Sequence, residues 1–273
     1  MLGKAVVLAR GLGTRMQKAE PGVNLSEREA ELAGRGLKAL IPLNGRPFLD
    51  YLVDSLLGAG LSHICLVVAP EAELMRQNAE RISRLAGVSV TCAVQPEPKG
   101  TADAVLAAEQ FAGQDSFLLV NGDNLFEPDT LRKLARARPP GCAVGAFPRE
   151  ELVRLGNFDP ERVKGFAVVD AAEDGRLVGV VEKPSDPDRY ARQGRVLVGM
   201  NLYRFTPSVF AACRGVEPDP ERGELELTAA VEALADGPEP FRVVICKGRV
   251  LDLTGRADIP QVEQALADWR ISF

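Results

Sequence analysis

Apolar positions along the chain form short runs that alternate with longer segments of helical period. In the first half, the short runs are rich in Val, Ile and Leu and do not alternate strictly between apolar and polar residues. They cover residues 5–8, 64–69, 88–94 and 117–120, and amphipathic helices are predicted over residues 47–59, 71–86, 102–111 and 129–137. This alternation predicts a three-layer α/β architecture with a parallel central sheet covered by helices on both faces.

The second half of the chain combines its elements less regularly. Residues 166–169 and 177–182 predict a hairpin, and further strands are predicted at 196–205 and 241–246. Helices are predicted over residues 227–234 and 259–269. No Ser/Gly-rich linker, low-complexity tract or internal repeat interrupts the chain, and its length allows one large domain or two small ones.

Composition argues against several classes of function. The 273 residues include 33 Lys and Arg against 38 Asp and Glu, a net charge of -5, which argues against a nucleic-acid partner. No apolar run reaches the roughly 20 residues needed to cross a membrane. Five scattered cysteines without a CxxC pair predict reduced thiols, and the absence of a secretion signal favours a cytoplasmic location. A single histidine, His63, argues against a Cys/His zinc site or a His-based catalytic triad.

The first candidate site directly follows the first predicted strand, where the sequence is Leu8-Ala9-Arg10-Gly11-Leu12-Gly13-Thr14-Arg15-Met16. Two glycines allow the backbone to approach a ligand closely, and successive amides in such a turn can bind phosphate oxygens. Arg15 adds a charged donor. A dinucleotide-binding turn would have a third glycine where Met16 stands, and the P-loop pattern GK[ST] is absent. The segment is therefore a candidate phosphate-binding turn.

Two further candidate segments lie in the first half. Lys38 precedes an apolar stretch and could reach a phosphate, although it could equally be a solvated lysine. Gln95 leaves a strand, and Gly100 and Thr101 begin the next helix, as they would in an ordinary turn and N-cap. The Gln95 amide offers both a donor and an acceptor, which is what the edge of a pyrimidine ring requires.

Acidic residues at strand ends complete the candidate chemistry. Asp123 follows an apolar strand, at the place where open α/β sheets hold ligands, and Asp252 ends a later strand. Carboxylates beside phosphates suit Mg²⁺, although both could instead be turn residues. Glu182 and Lys183 lie at another strand end, where an exposed ion pair is the alternative.

In their order and spacing, these segments resemble the sugar-1-phosphate nucleotidyltransferases. The motifs LAxGxGTRM, KxxxP, QxxPxGTADA, GD, EKP and a late Asp before a final helix are matched in order over about residues 3–265. The resemblance implies a single large domain of residues 1–273 with a three-layer α/β/α Rossmann-like fold and a mixed, mostly parallel central sheet. It also implies transfer of a nucleotidyl group from a nucleoside triphosphate to a sugar 1-phosphate, with release of pyrophosphate.

The roles that the resemblance implies divide between the two halves of the chain. A nucleotide-binding half of about residues 1–135 would act through Leu8, Ala9, Gly11, Gly13, Thr14, Arg15, Gln95, Gly100 and Thr101. A sugar-phosphate-binding half of about residues 136–273 would contribute Gly165, Glu182, Lys183 and Asn201. Arg15, Lys38, Asp123 and Lys183 would be catalytic, and Asp123 and Asp252 would bind a Mg²⁺ cofactor. The sequence does not specify an oligomeric state, although members of the family commonly form dimers or tetramers.

Departures from the family pattern leave several alternatives open. Arg10 replaces a small residue, and residues 17–36 form a longer segment whose Ser26 and Glu29 predict a short helix, either a lid or a surface insertion. Gly199 and Asn201 exchange the usual asparagine and glycine, which leaves the sugar open. Gln95 favours UTP or dTTP. A non-sugar phosphate acceptor and a non-catalytic nucleotide-sugar-binding protein are the alternative functions.

Overall fold

The structure is a computed structural model that describes residues 2–11, 13–18, 25–192 and 194–273. Its strands are β1 (Lys4–Leu8), β2 (Pro42–Leu43), β3 (Arg46–Pro47), β4 (His63–Val68), β5 (Ser89–Val94), β6 (Phe117–Asn121), β7 (Asn124–Phe126), β8 (Ala143–Pro148), β9 (Val168–Ala171), β10 (Leu177–Val181), β11 (Leu197–Phe205), β12 (Arg242–Ile245) and β13 (Val250–Asp252). Its α-helices are α1 (Thr14–Gln17), α2 (Glu27–Gly34), α3 (Phe48–Gly58), α4 (Glu73–Ala86), α5 (Thr101–Ala107), α6 (Glu109–Ala112), α7 (Pro128–Ala135), α8 (Arg149–Leu155), α9 (Pro160–Lys164), α10 (Ser208–Arg214), α11 (Leu227–Ala235) and α12 (Asp258–Ala265). Short 3₁₀ helices occupy Lys38–Leu40 and Pro187–Tyr190.

The central sheet has the strand order β5-β4-β1-β6-β11-β9-β10, with β8 also beside β11 and β12 beside β8. Strands β1, β4, β5 and β6 pair in parallel, whereas β11 is antiparallel to β6, β8 and β9. Because β12 is parallel to β8 and β10 is antiparallel to β9, only β10 and β11 among the described strands of this sheet oppose the common direction. The prediction of a mixed, mostly parallel sheet is confirmed.

Helices cover both faces of the sheet. Neighbouring strand residues point to opposite faces, so Val7 and Leu66 join one apolar cluster, whereas Val6 and Cys65 join the other. The first cluster includes residues of α3, α4, α7 and α12, and the second includes residues of α5, α10 and α11. This arrangement confirms the predicted three layers. Direct pairing of β6 with β11 continues the sheet from the first half of the chain into the second.

Most predicted elements are present with shifted ends. The hairpin is confirmed as β9 and β10, and α2 has the predicted capping box, in which the Ser26 N–H donates to Glu29 Oε2 at 2.7 Å. Residues 19–24 of the predicted insertion lie outside the described part of the chain. The helix predicted over residues 102–111 divides into α5 and α6 at Ala108, and the one predicted over residues 259–269 ends at Ala265.

The cysteines agree with the prediction of reduced, buried thiols. All five cysteines are free; Cys65, Cys142, Cys213 and Cys246 are buried, and Cys92 is partly exposed. Burial raises the pKa of the Cys65, Cys213 and Cys246 thiols to about 12, so they remain protonated core residues.

Within the described ranges, no helix combines the length and the apolar character that a membrane span requires.

Candidate active site

A cavity of about 380 Å³ opens at the carboxyl ends of β1, β5 and β6. Because β4 and β6 lie on opposite sides of β1, the cavity is at the switch point where open α/β sheets bind ligands. Ten predicted site residues line it: Leu8, Ala9, Gly11, Gly13, Thr14, Lys38, Gln95, Gly100, Thr101 and Asp123. Glu224, from the second half of the chain, also lines it, although no motif indicated this residue.

The glycine turn lies directly against the segment that precedes Lys38. Gly13 adopts the left-handed conformation (φ 61°), and a Cβ atom there would lie 3.1 Å from the Gly36 Cα. The following helix α1 is bonded to the C-terminal part of the chain, because Arg256 Nε donates to the Met16 carbonyl at 2.9 Å. Arg15 is exposed on α1 and does not line the cavity, so its triphosphate contact stays a prediction.

Gln95 also lines the cavity. This residue is buried, and its Nε2 donates to the Gly100 carbonyl at 3.0 Å and to Asp103 Oδ2 at 2.8 Å. Gly100 has a φ of 120°, and a Cβ atom there would overlap the Leu225 backbone. A close approach to another chain segment, and not only a turn, therefore requires glycine at this position.

The two predicted magnesium ligands lie close together, with Asp123 in the lining of the cavity and Asp252 outside that lining. The Lys38 Nζ forms an ion pair with Asp123 Oδ2. The β7–β13 ribbon places Asp252 opposite Asn124, and the Leu253 N–H donates to the Asp123 carbonyl at 2.9 Å. Residues more than 120 positions apart in sequence thus meet at one edge of the sheet.

Arg162 is a functional candidate that the sequence analysis missed. Its guanidinium forms an ion pair with Asp252 Oδ1 and another with Asp258 Oδ1 at 2.7 Å, while Asn124 Nδ2 donates to Asp252 Oδ2 at 2.9 Å. Burial raises the pKa of Asp252 to about 6, and the negative charge of Asp123 adds to this rise. The Asp159 N-cap predicts a helix start here, but no local signal identifies the distant acidic partners of Arg162.

The carboxylates of Asp123 and Asp252 fit a magnesium ion that is bound together with a phosphorylated ligand. Carboxylate and phosphate oxygens are the ligands that Mg²⁺ prefers. The mutual repulsion that contributes to the raised pKa of Asp252 is what a divalent cation would relieve. Across the described residues, no group of three or more His, Cys, Asp or Glu side chains could hold a metal. Mg²⁺ usually keeps several waters and is bound through one or two carboxylates together with substrate phosphates, an arrangement that two carboxylates would suit.

The predicted sugar-phosphate residues lie away from this cavity. Glu182 and Lys183 are exposed after β10, Gly165 ends α9, and Asn201 is exposed within β11. Asn201 has a φ of 50°, which confirms the left-handed conformation expected of an asparagine in a glycine position. Partial desolvation raises the pKa of Glu182, and the charge of Glu226 adds to the rise. The assignment of these four residues to the sugar phosphate stays a prediction.

Comparisons with known proteins agree with this geometry. A family model described as nucleotidyl transferase matches residues 4–253. A glucose-1-phosphate thymidylyltransferase from Streptomyces antibioticus is 30% identical over 97% of this chain and 66% of its own length. The UTP–glucose-1-phosphate uridylyltransferase AglF from Haloferax volcanii is 30% identical over 97% of both chains.

Solved structures show the same fold. A UDP-glucose pyrophosphorylase complexed with UDP-glucose superposes with a TM-score of 0.74 at 18% identity, covering 99% of this chain and 100% of its own. The inositol-1-phosphate CTP transferase from T. maritima superposes with a TM-score of 0.71 at 18% identity, covering 97% and 95%.

Proposed function

The chain belongs to the nucleotidyl transferase family, and from this premise we propose that it transfers a nucleotidyl group from a nucleoside triphosphate to a sugar 1-phosphate. Pyrophosphate is the second product, and UTP or dTTP is the proposed donor. One observation carries the proposal: the glycine turn, Lys38, Gln95 and Asp123 line a single cavity at the strand ends. The printed activities of the 30% identical relatives support the choice of a sugar 1-phosphate.

This reaction requires alignment and charge neutralisation more than proton transfer. A phosphate monoester is largely dianionic at neutral pH, because its second pKa is about 6. It can therefore attack the α-phosphorus without a general base, which suits a chain whose one histidine, His63, begins β4 away from the cavity. The protein must hold two anions in line and offset their repulsion.

Residues of the cavity have the chemistry for this task. The glycine turn would bind triphosphate oxygens through its amides, and Lys38 would neutralise charge on the phosphate being transferred. Lys38 forms an ion pair with Asp123, the proposed magnesium ligand. Its ammonium is therefore close to the place where the phosphates bound to that magnesium would lie. Arg15, Glu182 and Lys183 are assigned by their positions in the motifs, with Lys183 proposed to contact the sugar phosphate.

Asp123 and Asp252 would hold Mg²⁺, which as a Lewis acid would offset charge on the phosphate oxygens. Other residues of the chain orient the two carboxylates. Arg162 and Asn124 orient the Asp252 carboxylate, and the β7–β13 ribbon keeps it beside Asp123. In the described structure, Lys38 forms an ion pair with Asp123, and Arg162 forms one with Asp252.

Pyrophosphate release tests the proposed function. Each of UTP, dTTP, CTP, ATP and GTP would be incubated with Mg²⁺, with and without a pool of sugar 1-phosphates. We expect release with UTP or dTTP only when the pool is present. If pyrophosphate were released only when phosphorylated polyols or amino alcohols were supplied, the acceptor would be one of these compounds and not a sugar 1-phosphate. No release from folded protein with any pair of substrates would reject the enzyme assignment and favour a binding role.

A further inference from the structure

We propose that Asp103 is a specificity-determining residue, which positions the Gln95 amide so that the cavity accepts uracil or thymine and rejects cytosine. The inference rests on the proposed function, because it concerns the base of the donor nucleotide. Asp103 does not line the cavity itself. It acts through Gln95, which does.

The hydrogen bonds of Gln95 determine which end of its amide is available to a ligand. Its Nε2 has two hydrogens, and these are donated to Gly100 O at 3.0 Å and Asp103 Oδ2 at 2.8 Å. A carbonyl and an ionised carboxylate can only accept hydrogen bonds. The opposite amide orientation would place Oε1 against two acceptors, so the network excludes it. The Gln95 atom left for a ligand is the acceptor Oε1.

The two acceptors that orient Gln95 are themselves held firmly. Gly100 lies against the Leu225 backbone so closely that no side chain fits between them. The Ala102 N–H donates to Leu225 O at 2.9 Å, and the Leu225 N–H donates to Lys99 O at 2.7 Å. Asp103 is in the first turn of α5, immediately after these contacts. The backbone around both acceptors is therefore fixed by a segment from the second half of the chain.

Arg10 holds the Gln95 main chain from the other side. Its Nε donates to Gln95 O at 3.3 Å, and its Nη2 is 3.5 Å from Pro96 O. This arginine replaces the small residue usual at its position, and it ties the glycine turn to the segment that would bind the base. Both the backbone and the amide of Gln95 are thus positioned before any ligand binds.

A lone acceptor discriminates among pyrimidines by the hydrogen at ring nitrogen N3. Uracil and thymine have an N3–H donor, whereas N3 of cytosine is an acceptor. Cytosine at the same place would face Oε1 with a second lone pair, leaving two polar groups desolvated without a hydrogen bond. Sites built to hydrogen-bond an N–H group discriminate strongly against analogues that lack it.

Equilibrium binding of UTP, CTP and N3-methyl-UTP would test the role of Asp103 without any sugar phosphate. We expect the wild-type protein to bind UTP at least about tenfold more tightly than CTP or N3-methyl-UTP. In Asp103→Asn, the new amide can donate to Gln95 Oε1, so Gln95 can turn its Nε2 toward the ligand. The UTP preference over CTP should fall several-fold, while N3-methyl-UTP, which offers neither a donor nor an acceptor at N3, should still bind weakly.

A matched control and a second variant make the result decisive. Glu97→Gln removes the same charge from the same segment, but Glu97 pairs with Lys99 and not with Gln95, so it should leave the UTP-to-CTP ratio unchanged. Asp103→Ala removes one acceptor and should also lower the ratio. A folded Asp103→Asn or Asp103→Ala protein with the wild-type ratio would overturn the role of Asp103 alone. Failure of the wild type to bind any nucleotide would overturn the proposed function as well.

Discussion

Lys38 contacts a predicted catalytic carboxylate and lines the same cavity. In Lys38→Met, the side-chain length is kept but the charge that would offset the transferring phosphate is lost. We expect kcat/KM to fall about 10²–10³-fold, the range for removal of one preorganised electrostatic group. Steady-state pyrophosphate release measures this fall. Lys164→Met, which removes a lysine from an exposed pair with Glu161, is the matched control. Near-normal kcat/KM in folded Lys38→Met would exclude a catalytic role for this lysine.

Gly100 and Gly87 differ in how much an added side chain would cost the folded protein. Both have positive φ, but a Cβ atom at Gly87 meets open space, whereas one at Gly100 overlaps Leu225. Gly87→Ala should lower the free energy of unfolding by about 1 kcal/mol, from the backbone conformation alone. Gly100→Ala should cost clearly more, because the Leu225 segment must also move. Urea denaturation of both variants measures the difference, and equal losses would show that the Leu225 segment yields freely.

At the scale of elements, Arg162 links three parts of the chain. It extends from α9 to Asp252 at the end of β13 and to Asp258 at the start of α12. Arg162→Met would leave two largely buried carboxylates without their cation, a change that typically costs 3–5 kcal/mol, so we expect a loss of about this size. Urea denaturation measures the loss, with Arg154→Met on the exposed side of α8 as the control. A loss no greater than that of the control would show that Asn124 and water suffice for Asp252.

Elements differed in how clearly their residues predicted them. The β1, β4 and β6 runs are rich in Val, Ile and Leu, and Met75, Ala79 and Ile82 recur on one face of α4, so these elements were predicted. Strand β8 was missed because its sequence AVGAFP is rich in small residues, although every residue is buried between β11 and β12. Small buried residues in a central strand produce no local pattern that distinguishes them from a loop.

The candidate site shows the same limit. The glycines, Lys38, Gln95 and Asp123 could be predicted to lie together because they belong to short motifs whose order matches the family pattern, and all of them line the cavity. Arg162 and Glu224 were not, because only the fold brings Arg162 to Asp252 and Glu224 to the cavity. Asp103 was within a recognised motif, yet its bond to Gln95 requires the turn at Gly100.

At the scale of the whole molecule, the site is assembled from both halves of the chain. Asp123 follows β6 in the first half, and Asp252 ends β13 in the second. The β7–β13 ribbon joins them on one side of the cavity, and the Leu225 segment joins the halves on the other. A ligand that spans Asp123 and Asp252 would therefore stabilise the contact between the halves as well as occupy the site.

Magnesium binding can be tested through this stabilisation. With only two carboxylates available, Mg²⁺ should bind well only when phosphates complete its ligands. A ligand that binds only the folded state raises the free energy of unfolding by RT ln(1 + [L]/Kd), and the unfolding temperature rises with it. We expect UTP and Mg²⁺ together to raise it by more than the sum of their separate effects. Asp123→Asn should abolish this excess, and chelation with EDTA should abolish turnover in the wild type. Additive effects of Mg²⁺ and UTP, or turnover that survives EDTA, would contradict a metal shared between the two carboxylates and the nucleotide.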